Sequence, residues 1–146
     1  MKIFNIGLLV MAVNLPVMAQ DGVQNGKEMT AADVVEQVKQ YGEYIDLFAE
    51  QKRRGEELDQ DKVNFTNGVS MMCMVLHGIQ GDEFYKKGHL IAVSINQTIN
   101  GVPENYIENS ADTAANWLPA YMEVYNLNKE DAAKYMMSDL SCMKTL

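Results

Sequence analysis

Residues 30–48 read TAADVVEQVKQYGEYIDLF, and this stretch decides the fold class. Thr30 is followed three positions later by Asp33, close to the capping-box spacing in which a hydroxyl and a carboxylate satisfy the free N–H groups at a helix start. Behind that cap, Val34, Val38, Tyr41, Ile45 and Phe48 recur at steps of 4, 3, 4 and 3. Those steps place five apolar side chains on one face of a helix. Downstream, Gln51-Lys52-Arg53-Arg54-Gly55-Glu56-Glu57 reads as a solvated helix end, because acids adjoin the bases and cations suit the negative end of the dipole.

The same period continues toward the C-terminus. A second helix is expected from near Asp59 or Asp61, with Phe65, Val69, Met72, Cys73, Leu76 and Ile79 on its buried face and Gly78 and Gly81 weakening or ending it. Residues 90–99 fit two patterns: Ile91, Val93 and Ile95 alternate as in a strand, while Ile91, Ile95 and Thr98 fit a helix. Helix is favoured, since no second strand is visible to pair with it. Asn100-Gly101-Val102-Pro103 is a turn signal. Ser110 is read as the cap of a helix carrying Ala114, Trp117, Leu118, Tyr121 and Tyr125, kinked or split by Pro119. Asn128 and Asp131 open a last helix bearing Ala132, Met136, Leu140 and Met143, with Cys142 at its end. The expectation is a single all-α domain over residues 30–146, with four to five helices, preceded by a flexible polar segment at 20–29.

The first 19 residues read differently. Lys2 precedes a mostly apolar run from Ile3 to Val17, and Val17-Met18-Ala19 fits a signal peptidase site, which predicts cleavage after Ala19 and export to the periplasm. The run carries Asn5, Asn14 and Pro16, whereas a spanning helix needs roughly 20 apolar residues. No membrane insertion of the mature chain is expected. Export in turn makes a disulfide the economical use of two cysteines, and only Cys73 with Cys142 can pair. Closing that loop is worth roughly 4 kcal/mol in the chain-entropy model. The competing reading is a catalytic Cys73 oriented by His77 one turn later.

Composition narrows the functions further. The 146 residues hold 12 Lys and Arg against 20 Asp and Glu, a formal net charge of −8, and 47% are hydrophobic. An acidic chain gains no counterion release from phosphate backbones, so nucleic acid is not an expected partner. His77 and His89 belong to no zinc motif, and both read as surface or core-edge histidines. Gly68-Val69-Ser70 lacks the second glycine of a nucleophile elbow, and Val63 stands where an EF-hand needs an oxygen ligand. Asp82-Glu83 is better read as a helix cap than as a hydrolytic pair. Asn64-Phe65-Thr66 and Asn96-Gln97-Thr98 match the glycosylation pattern, which matters only in a host with that pathway. Met71, Met72, Met74, Met136 and Met137 read as core packing ahead of a soft-metal or binding site. No metal or other cofactor is called for. Of the seven tyrosines, Tyr85 and Tyr106 are expected to be exposed and suited to a protein interface, while Tyr41, Tyr121 and Tyr125 belong at the core edge.

The leader, the helix from Cys73 to Gly78, the turn Gly101-Val102-Pro103, the helix Ala114 to Tyr125 and the closing Leu140-Ser141-Cys142, taken together, resemble the Rap1a/Tai family of type VI secretion immunity proteins. The resemblance covers roughly residues 60–142. It implies a non-enzymatic periplasmic inhibitor that binds a cognate effector toxin, for example a peptidoglycan-cleaving enzyme, and carries over Cys73 and Cys142 as the family-like disulfide. On that reading the turn Asn100 to Tyr106, with Glu104 and Tyr106, is the candidate contact, since a loop between helices can enter a cleft; self-association as a homodimer is also compatible. Two other classes compete. An acid-activated periplasmic chaperone would share the export, the helices and the disulfide. A hydrolase would need a cleft around Asp82, Glu83 or His89.

Overall fold

A computed structural model of the chain describes residues 23–24 and 27–146. The expected leader at 1–19 lies outside the described residues. Within the segment expected to be flexible, Val23–Gln24 (β1) and Lys27–Glu28 (β2) form a two-residue antiparallel ladder, and Met29 is buried against the domain. Five helices follow: α1 (Ala31–Arg53), α2 (Gln60–Gln80), α3 (Glu83–Ile99), α4 (Glu104–Tyr125) and α5 (Lys129–Asp139), with a final 3-10 turn at Cys142–Thr145. The fold is all-α, as the periodicity predicts, and one disulfide joins Cys73 to Cys142, the only pairing open to two cysteines.

The starts of α1, α2, α3 and α5 are fixed by side chains near their N-termini. The capping box is complete in α1, where Asp33 N–H donates to Thr30 Oγ1 at 3.1 Å and Thr30 N–H to Asp33 Oδ2 at 3.0 Å. Asp59 accepts from Lys62 N–H at 2.9 Å, Asp82 from Tyr85 N–H at 3.2 Å, and Asn128 from Asp131 N–H at 2.8 Å. Gly81 ends α2 with φ of +77°, a left-handed conformation that glycine takes without a Cβ penalty.

Two boundaries differ from expectation. Ser110 does not cap α4; it lies buried inside the helix, which begins two turns earlier at Glu104, directly after Pro103. Proline just ahead of a helix supplies a preset φ and needs no N–H bond, so the helix can begin there without a hydroxyl cap. Pro119 neither splits nor ends α4: the helix runs on to Tyr125, with Trp117, Leu118, Ala120 and Tyr121 all buried around the proline. Burial of that many apolar side chains outweighs the single lost backbone bond. The second difference is at the C-terminus, where α5 stops at Asp139 and Ser141 turns the chain at φ of +55°. Met143 is therefore exposed on the 3-10 turn and does not extend the helical stripe.

The buried helix α2 contacts the other four helices and the 3-10 turn. The rings of Tyr41, Phe65 and Trp117 meet beside it, Tyr41 lying edge-on to Phe65 at 4.9 Å and 5.5 Å from Trp117. Tyr41 and Tyr121 are thus fully buried core residues, deeper than the core edge expected for them, while Tyr125 stays half-buried. Met72, Met136 and Met137 fill the same core. Cys73 and Cys142 are bonded across a sequence separation of 69, with Cα atoms 5.7 Å apart, joining the middle of α2 to the 3-10 turn. Their bond removes the free thiol that a Cys73–His77 nucleophile requires.

Candidate partner-binding site

The corner between α3 and α4 runs from Asn100 to Pro103 and is held on three sides. Asn100 N–H closes α3 onto Asn96 O at 2.9 Å, and Gly101 then reverses the chain at φ of +68°. Val102 plugs into the protein interior, so the corner has an apolar anchor. From α2, the Gln60 amide donates both to Asn100 O at 2.9 Å and to Asn64 Oδ1 at 2.8 Å. A run of amides continues along the α2–α3 seam, with Asn96 Nδ2 donating to Asn67 Oδ1 at 3.3 Å and Asn67 Nδ2 to Val93 O at 3.5 Å. A loop fixed this way loses little conformational entropy on binding.

Acids gather at this end of the domain. Asp59 caps α2, Asp61 stands in its first turn, and exposed Glu104 opens α4. Each carboxylate near a helix start is favoured by the positive end of the dipole. Tyr106 is half-buried against the core, in correction of the exposed position expected for it. Burial and the nearby Asp61 carboxylate push its hydroxyl above the ordinary tyrosine value, opposed by a hydrogen bond with Asn64. The structure therefore brings Asn100, Glu104 and Tyr106 together at one corner.

Tyr85 is not part of that group. It lies near the other end of α3, roughly 22 Å from Asn100 at 1.5 Å per residue. It too is half-buried, its ring stacked on His77 with centroids 5.4 Å apart. Behind it is an arrangement the sequence did not reveal. His89 is fully buried, not at the surface or core edge, with Nδ1 at 3.0 Å from Tyr85 O and Nε2 at 3.1 Å from both Cys142 O and Thr145 Oγ1. It latches the chain end onto α3. His77 is also buried, 5.1 Å from His89 between ring centroids. Burial first, then neighbouring His89, lower its basicity, and Asp82 opposes them. No spacing rule links residue 89 to residues 142 and 145, so only their apolar surroundings hinted at burial.

The groups named for hydrolysis have structural partners. Asp82 caps α3, Glu83 lies 3.9 Å from Lys86, and the His89 ring nitrogens lie within hydrogen-bonding distance of the Tyr85 and Cys142 carbonyls. A surface hollow lies on a different helix, α1, lined by Asp33, Glu36, Gln37, Lys39, Gln40 and Glu43. Among the described residues no group of three or more His, Cys, Asp or Glu is placed to hold a metal ion, and no helix is long and apolar enough to cross a membrane. Compared with known proteins, the chain matches no family model, no curated protein and no solved structure.

Proposed function

We propose that this protein is an exported, periplasmic, non-enzymatic inhibitor that binds a secreted antibacterial effector and covers its active site. The observation that carries the reading is the α3–α4 corner: a short loop anchored by Val102, clamped by Gln60 and flanked by Asp59, Asp61 and Glu104. Preorganised loops of this kind enter clefts with little ordering cost, and an acidic rim steers toward a basic partner. The buried disulfide supports residence in an oxidising compartment.

The test is a pull-down of the purified protein against the products of its neighbouring genes, followed by a growth assay of the captured partner exported alone. The expected result is one stoichiometric partner that is toxic without this protein. Glu104→Lys together with Asn100→Ala should weaken that complex by roughly 10- to 100-fold, with the Glu104 share shrinking at high salt. Capture of many unrelated proteins, increasing as pH falls, would instead establish a chaperone and overturn the inhibitor.

A further inference from the structure

Helix α3 is packed chiefly on α2 and buries only His89 and Val93 completely. Its outer face carries Phe84, Ile91, Ile95 and Ile99, exposed by 79, 59, 50 and 74%. At 100° per residue these four fall within one narrow stripe, and Gly88 lies on the same stripe between Phe84 and Ile91. Residues 88–103 contain no Asp, Glu, Lys or Arg, in a chain that is 22% charged.

The stripe can lie against a reversed copy of itself with its apolar positions in register. Turned end for end about the midpoint between Ile91 and Ala92, Phe84 meets Ile99, Gly88 meets Ile95, and Ile91 meets Ala92. Ile91 thus faces the small Ala92, Phe84 faces Ile99, and Ile95 meets the Leu146 side chain, whose Cδ2 lies over Gly88, 3.2 Å from where a Cβ would stand. A surface that complements itself under a two-fold rotation is what an isologous dimer requires. We infer that α3 pairs antiparallel with α3 of a second copy of this chain.

Charge and area point to the same occupant. Two acidic copies, each at −8, repel unless the seam between them is neutral, and this face is. The last turn of α3 has no basic residue of its own. In the antiparallel arrangement Lys87 of one copy lies beside the last turn of the other helix, where the dipole favours a cation. With free side-chain areas of about 200 Å², the four exposed residues alone offer roughly 500 Å² per copy, and the flanking Glu83, Lys87, Thr98 and Leu146 bring the pair to the roughly 1,200 Å² at which stable interfaces begin.

Two experiments test this together. Sedimentation velocity of the purified protein should show a dimer at low-micromolar concentration. Ile91→Glu, which sets two carboxylates against each other at the axis, should weaken it by at least about 100-fold. Leu90→Glu, on an exposed position off the stripe, should leave it unchanged. Circular dichroism identical to the parent confirms that these surface variants fold. For orientation, Phe84→Cys and Ile99→Cys proteins are oxidised separately and mixed, the native cysteines being already bonded to each other. A covalent dimer formed only in the mixture supports the antiparallel pair. A monomer at about 100 µM overturns the inference, as does an Ile91→Glu protein that still dimerises or a Phe84→Cys protein that cross-links by itself.

Discussion

Gly42 sits in the interior of α1, where replacing glycine by alanine ordinarily gains about 1 kcal/mol of helix propensity. The packing of α5 reverses that sign. A Cβ at Gly42 would lie 1.7 Å from the carbonyl oxygen of Asp139 and 2.9 Å from its carbonyl carbon. Backbone cannot rotate away as a side-chain tip can, so the end of α5 must retreat by roughly 1.5 Å to restore ordinary contact. That retreat works against Tyr121, whose hydroxyl donates to Asp139 Oδ2 at 2.6 Å, and against the bonded Cys142 just beyond. Overpacking typically costs 1–3 kcal/mol, and here the contact is with main chain, so Gly42→Ala should lose about 2 kcal/mol net, or roughly 6–10 °C in Tm. The matched control is Gly78→Ala in α2, whose Cβ would come nearest to the flexible end of the Lys86 side chain at 3.6 Å and should keep most of the propensity gain. Urea and thermal unfolding followed by circular dichroism measure both. If Gly42→Ala is as stable as Gly78→Ala, the close approach of α1 to α5 is refuted.

Two further outcomes follow from the same packing. Cys73→Ala with Cys142→Ala opens a closure of 69 residues and should reduce unfolding stability by about 4 kcal/mol on the chain-entropy account; a loss under about 1 kcal/mol would show that the unfolded chain is not constrained by the bond. His77 gives a pH dependence of defined sign. Its imidazole is held below the ordinary value by burial and by His89, so as pH falls the unfolded chain binds the proton first. Its contribution is full above about pH 6.5 and is lost as pH drops through the lower folded value. Urea midpoints from pH 8 to pH 5 should decline in the parent and decline less in His77→Phe, which keeps the ring stacked on Tyr85; equal slopes would contradict the assignment.

How much of this was legible in the sequence differs by element. The capping box at Thr30, the Asp59 and Asn128 caps and the Gly81 stop were readable because each is a local exchange between a side chain and nearby backbone. The buried stripe of α1 was readable from its period alone. Residues 90–99 resisted a firm assignment because apolar positions fill both faces of α3, and only one face is covered by α2. The start of α4 differs from the expected Ser110 because Pro103 presets the turn and opens the helix without a hydroxyl cap, which leaves Ser110 inside it. Of the candidate contacts, Asn100 and Glu104 are where a turn signal places them, whereas the half-buried Tyr85 and Tyr106 depend on neighbours from other helices.

The sequence by itself determined the helices, their caps and the single pairing open to the two cysteines, because these rest on local hydrogen bonding, periodicity and composition. Tertiary structure alone decided that Gly42 is the point where α1 meets the carbonyl of Asp139, that His89 latches the chain end, and that α3 leaves an uncharged apolar stripe uncovered. A stripe's period says which residues share a face, but which faces meet depends on the shape of the whole packed core. That shape is set by contacts between residues far apart in the chain.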